Sequence, residues 1–78
     1  MANILVVEDE KNMQQIIAVY MEKGGHICIT ADDGVEALLL LKNTPIDFMI
    51  LDIMMPHLDG FAVCRLAREI SNMPIIML

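Results

Sequence analysis

The sequence predicts an α/β fold built on a parallel sheet, and three observations predict it. Apolar runs of strand length alternate strictly with stretches of helical periodicity or composition. Gly, Pro, Asn and Asp punctuate the joins between them. The central run, Phe48-Met49-Ile50-Leu51, is apolar at every position, which suits a strand buried on both faces. Strict alternation in turn implies parallel strands joined by right-handed crossovers.

Asn3 to Val7 is the first strand, and it ends abruptly in Glu8-Asp9-Glu10. From Asn12 to Lys23, Met13, Ile16, Ile17, Tyr20 and Met21 recur at steps of three, one, three and one, which predicts one apolar helix face. Gly24-Gly25 ends that helix, and His26 to Thr30 forms a short strand. Asp32-Asp33-Gly34 is a turn and helix cap before the Ala- and Leu-rich helix Val35 to Lys42, closed by Asn43-Thr44-Pro45. The central strand ends in a single carboxylate, Asp52. Phe61 to Ile70 reads as a third helix, and Pro74 opens a last apolar run, Ile75 to Leu78.

At 78 residues the chain is at most one domain and needs a dense core, which 56% hydrophobic residues can supply. No apolar run approaches the roughly 18 residues of a membrane span, and the start lacks a secretion signal, so a cytoplasmic location is expected. Cys28 and Cys64 are then expected to be reduced, small buried hydrophobes. A net charge of −6 without a Lys/Arg cluster argues against direct binding to nucleic acid.

Asp52 sits at a strand's carboxyl end, the edge where open α/β sheets bind ligands. If the first and central strands are neighbours, Glu8, Asp9 and Asp52 converge. Three carboxylates that close cannot all stay ionised cheaply: one takes up a proton, or a hard divalent cation compensates the charge. Mg²⁺ suits such a site, and a carboxylate beside it can attack phosphorus. Each piece alone has a plainer reading. The acidic triplet could be a solvated helix start, and Asp52 a turn acid at a strand end. His26 and His57 lie in separate segments and neither is read as a metal ligand. The eight methionines are mostly core filler, with Met54 and Met55 expected to line the loop by the site.

Taken together, Leu5-Val6-Val7-Glu8-Asp9-Glu10, Asp33-Gly34-Val35-Glu36-Ala37, Asp52-Ile53-Met54-Met55-Pro56-His57-Leu58-Asp59-Gly60 and Met73-Pro74-Ile75-Ile76-Met77-Leu78 resemble the receiver domain of two-component response regulators. The resemblance implies a flavodoxin-like, doubly wound parallel sheet ordered 2-1-3-4 over residues 1–78, as part of a receiver. It implies Asp52 as phosphoacceptor, Asp9 as a direct Mg²⁺ ligand, Glu8 as an acidic partner holding the metal mostly through water, and Met54 as donor of a backbone carbonyl. Pro56 and Gly60 would shape the loop after the phosphorylated strand, and Asp59 would cap the third helix. The implied partner is a sensor histidine kinase, and the implied role is a signalling module rather than an enzyme.

In the family the pattern continues beyond the position of Leu78 with a phosphate-binding Ser or Thr, a fifth strand, two helices, a switch aromatic and a Lys. Residues 1–78 resemble the first two thirds of that pattern, so slow phosphorylation at Asp52 is expected. Self-association is expected as well, through an unpaired fourth strand and a bared sheet face around Phe48, Met49, Ile50 and Leu51. A self-associating interaction module without phosphotransfer is the alternative reading. A haloacid-dehalogenase-type phosphohydrolase would want an Asp where Met54 stands. A flavin- or dinucleotide-binding sheet would want a Gly- or Ser/Thr-rich phosphate loop in place of Glu8-Asp9-Glu10.

Overall fold

The structure, a computed structural model, describes residues 1–55 and 58–78. Within them the chain runs β1 (Asn3–Val7), α1 (Lys11–Lys23), β2 (Ile27–Ala31), α2 (Gly34–Asn43), β3 (Phe48–Leu51), α3 (Gly60–Arg68) and β4 (Ile75–Met77). The strands form one parallel sheet in the order β2-β1-β3-β4. This is the predicted alternation and order, with element ends moved by one or two residues.

Each helix begins on an acid. Glu10 accepts from the Asn12 and Met13 amides at 3.1 and 2.8 Å, Asp33 from Glu36 at 2.8 Å, and Asp59 from Ala62 at 2.9 Å. These carboxylates satisfy amides that the first helical turn leaves without partners. At the other end of α1, the chain reverses through Gly25 at φ +88°, a conformation that costs glycine little.

Successive strand residues point to opposite faces, which divides the core in two. On one side Leu5, Val7, Met49 and Leu51 pack with Ala37, Leu41, Val63 and Ala67 from α2 and α3. On the other, Ile4, Val6 and Ile50 pack under Ile17 and Met21 of α1. Burial of each large side chain here contributes about 1.5–3 kcal/mol.

Several expectations need correction. The central strand is not bared: Met49, Ile50 and Leu51 are buried and only Phe48 is half-buried, because α1 covers one face while α2 and α3 cover the other. The sheet-facing stripe of α1 runs through buried Gln14 and half-buried Ile17 and Met21, leaving Met13, Ile16 and Tyr20 exposed. Cys28 and Cys64 are free thiols but half-buried rather than buried. Met55 enters the core instead of lining the loop, while Met54 is 81% exposed. Pro56 and His57, to which a loop-shaping and a non-ligand role were assigned, lie outside the described residues. Among the described residues, no helix is long and apolar enough to cross a membrane.

Candidate functional site

The site is a product of strand register. Val7 pairs with Leu51 and with Ala31, so the residues that follow β1 and β3 leave the sheet side by side. The ladder continues past the strand ends: the Glu8 amide donates to the Ala31 carbonyl at 3.1 Å, and the Asp52 amide donates to the Val7 carbonyl at 3.0 Å. Glu8, Asp9 and Asp52 are thereby brought together, with a carboxylate oxygen from each lying within 4.8 Å of the others. All three are residues singled out from the sequence.

Their environments differ. Glu8 is 6% exposed, Asp52 half-buried and Asp9 exposed. Burial pushes the Glu8 carboxyl up to about 7, helped by hydrogen bonds to the side chains of Asp52 and Asp9 and by the charge of Asp52; a hydrogen bond from the Glu10 amide opposes the shift.

The loop after β3 is built around Asp52. The Met54 amide donates to Asp52 Oδ1 at 3.1 Å, which fixes one carboxylate oxygen. Gly60 donates its amide to the Ile53 carbonyl at 2.9 Å, so the start of α3 lies directly on the strand end. A β-carbon at position 60 would stand 2.6 Å from Ile53 Cα and 2.7 Å from the Asp52 carbonyl oxygen. Only glycine fits that approach without displacement, which gives the loop-shaping expectation for Gly60 its physical reason.

A divalent cation fits these residues. The donors are hard carboxylate oxygens, no His or Cys joins the cluster among the described residues, and three carboxylates this close concentrate negative charge that a cation would offset. That donor set suits Mg²⁺ better than Zn²⁺, which favours nitrogen and sulfur.

Two neighbours escaped the sequence reading. Gln14 is 4% exposed and donates to the Glu8 carbonyl, the Ala31 carbonyl and Asp32 Oδ1. Lys11 pairs with Asp32 at 2.6 Å. With the help of Lys11 and Gln14, the Asp32 carboxyl is held below its ordinary range. The signal for Gln14 was its place three and seven residues before Ile17 and Met21, a polar residue in a buried stripe.

A sequence model of the response regulator receiver domain matches residues 4–78. The chain is 45% identical over 75 residues to the probable transcriptional regulator ycf27 of Guillardia theta, covering 96% of this chain and 30% of that protein. It is 42% identical to the alkaline phosphatase synthesis transcriptional regulatory protein PhoP of Bacillus subtilis, covering 96% of this chain and 32% of that one. The chain thus spans about a third of the length of these relatives. Among solved structures it is similar to a Francisella response regulator receiver domain, with a TM-score of 0.92 at 35% identity, covering 99% of this chain and 64% of the other. The Vibrio cholerae chemotaxis protein CheY4 gives a TM-score of 0.94 at 31% identity, covering 99% and 67%. With the strand order, the acidic cluster and the sequence match in agreement, this chain belongs to the response regulator receiver domain family.

Proposed function

We propose that this chain is the phosphoacceptor of a two-component system: a sensor histidine kinase passes its phosphoryl group to Asp52 with Mg²⁺ bound nearby. The observation that carries this reading is the convergence of Glu8, Asp9 and Asp52 at the carboxyl ends of two adjacent strands. Asp9 and Asp52, with the Met54 backbone carbonyl, would hold the metal, and Glu8 would hold it mostly through water. Bound Mg²⁺ supplies Lewis-acid neutralisation of the phosphoryl oxygens. A carboxylate oxygen of Asp52 forms the bond to phosphorus as the bond from phosphorus to the kinase's histidine nitrogen breaks, and that nitrogen keeps the electron pair. The Met54 amide orients the Asp52 carboxylate for this step.

In the longer relatives an output domain would read the change, and the transcriptional role in their names reaches this chain through such a domain. A cytoplasmic setting, where kinase and Mg²⁺ meet the site, belongs to the same reading. The net charge of −6 supports a segment that does not itself contact nucleic acid. Incubation with acetyl phosphate followed by intact-mass measurement tests the proposal. The expected result is a slow, Mg²⁺-dependent gain of one phosphoryl group that Asp52→Ala abolishes. Equal labelling of Asp52→Ala would remove Asp52 from the role.

One observation favours a second property. Among the described residues β4 pairs only with β3, and Ile76 on this edge is 49% exposed. Such an edge supports self-association between copies, as a homo-oligomer.

A further inference from the structure

We infer that Gln14 is a positioning residue for the acidic cluster, clamping the backbone that carries Glu8 and Asp9 toward a bound divalent cation. The inference rests on the reading of that cluster as a metal site, and adds a residue outside the carboxylate set.

Gln14 and Glu8 are the buried polar side chains among the described residues. Burying an amide is unfavourable unless its hydrogens find acceptors, and a Leu or Met at this place in the α1 stripe would fill the same space more cheaply. The Gln14 side chain instead spends its hydrogens on the site's scaffold. The two Nε2 hydrogens are shared among three acceptors: the carbonyl of Glu8 at 2.9 Å, that of Ala31 at 3.2 Å and Asp32 Oδ1 at 3.0 Å. Ala31 already accepts from the Glu8 amide, the last rung between β1 and β2, so the side chain adds a rung where the ladder has run out.

The backbone of the same residue completes the clamp. The Gln14 amide donates to the Glu10 carbonyl at 3.0 Å. One residue therefore holds the carbonyls of both Glu8 and Glu10, the positions on either side of Asp9. Asp9 is exposed, so its aim depends on the peptide units that flank it.

The test compares Mg²⁺ affinity of the 78-residue protein and Gln14→Met by calorimetry, with melting temperatures in EDTA as the measure of fold. Loss of an outer hydrogen-bond partner commonly costs a metal site about 10–100-fold in affinity. A rise of about tenfold in the Mg²⁺ dissociation constant is expected here. A structural role alone would lower the EDTA melting temperature and leave the dissociation constant of the folded protein unchanged, and that result overturns the proposal. Wild-type protein provides a second measurement that needs no variant. The Gln14 side-chain NH₂ resonances should move on Mg²⁺ addition while those of exposed Gln15 stay in place; a Gln14 signal as indifferent as that of Gln15 overturns the clamp. Absence of Mg²⁺ binding by wild-type protein would sink the metal reading along with this one, whereas normal binding by both proteins sinks this one alone.

Discussion

The buried carboxyl of Glu8 lies beside the carboxylate of Asp52 across the ends of two paired strands, an oxygen of each within 4.8 Å of the other. The folded chain thus holds on Glu8 a proton that the unfolded chain releases near pH 4.5 and the folded chain near about 7. A group raised in this direction contributes stability that is fully present below the unfolded value and lost as pH rises through the folded one.

In EDTA, the melting temperature is accordingly expected to fall between about pH 5 and about pH 8. Because about 1 kcal/mol moves a domain of this size by about 4–8 °C, the fall should reach several degrees. Glu8→Gln, which keeps the size and removes the titration, should flatten the profile. Asp32, shifted the other way, acts only below its ordinary value of 3.8 and leaves this window untouched. A rising wild-type profile would contradict the burial and the Asp52 contact together.

Mg²⁺ should reverse that trend, since a cation bound only by the folded state stabilises it by mass action, about 2.7 kcal/mol at a hundredfold excess over the dissociation constant. Deprotonated carboxylates bind it best, so the melting-temperature gain should grow from pH 6 to pH 8. Asp9→Ala should lose most of the gain. An equal Mg²⁺ response in wild type and variant would take Asp9 out of the site.

Gly60→Ala should be costly. Its new methyl group would meet backbone at 2.6 and 2.7 Å, and backbone moves less readily than a side chain. A loss of about 1–3 kcal/mol in urea unfolding is expected from overpacking. The displaced atoms belong to Asp52 and Ile53, so labelling by acetyl phosphate should fall as well. Full stability with full labelling would show that the loop has room the structure denies it.

Ile76→Lys addresses association. The substitution puts a charge on the exposed edge of β4, a device that discourages edge-to-edge pairing. Sedimentation at micromolar concentration should show wild-type protein in assemblies and the variant shifted toward monomer. A wild-type monomer at every concentration would end the proposal, the more so because the face of β3 is covered and gives such contacts little to work with.

The alternation of strands and helices and the three acids were legible because both are written in local terms, apolar runs ending in carboxylates. The cap Asp33 was legible for the same reason, and Asp59 through the resemblance. The strand order also came from the family resemblance, since local runs do not say which strands are neighbours. What escaped depends on which of several apolar choices the tertiary packing selects. Met13, Ile16 and Tyr20 share a helical face with Ile17 and Met21 on periodicity alone, yet the sheet takes Gln14, Ile17 and Met21 and turns Tyr20 outward, 70% exposed. Met54 and Met55 are indistinguishable by composition, yet Met55 enters the core while Met54 faces out. The cover over β3 was misjudged because Ile17 and Met21 of α1, with Ala2, Cys28 and Phe48, shield Ile50 and Val6, a matter of helix placement that apolar periodicity does not encode.

The acidic triplet carries one more consequence, about spacing and mutational tolerance. Its three neighbouring carboxylates serve three unlike ends: Glu8 turns into a buried proton-holding position, Asp9 into the open part of the cluster, and Glu10 away from both to cap α1. Identity at these positions is therefore worth less than place. Insertion of a single neutral residue between Val7 and Lys11 would keep every acid and the net charge, yet shift each carboxylate toward its neighbour's duty. The segment should tolerate Glu10→Asp at its helix-capping end far better than any change in length.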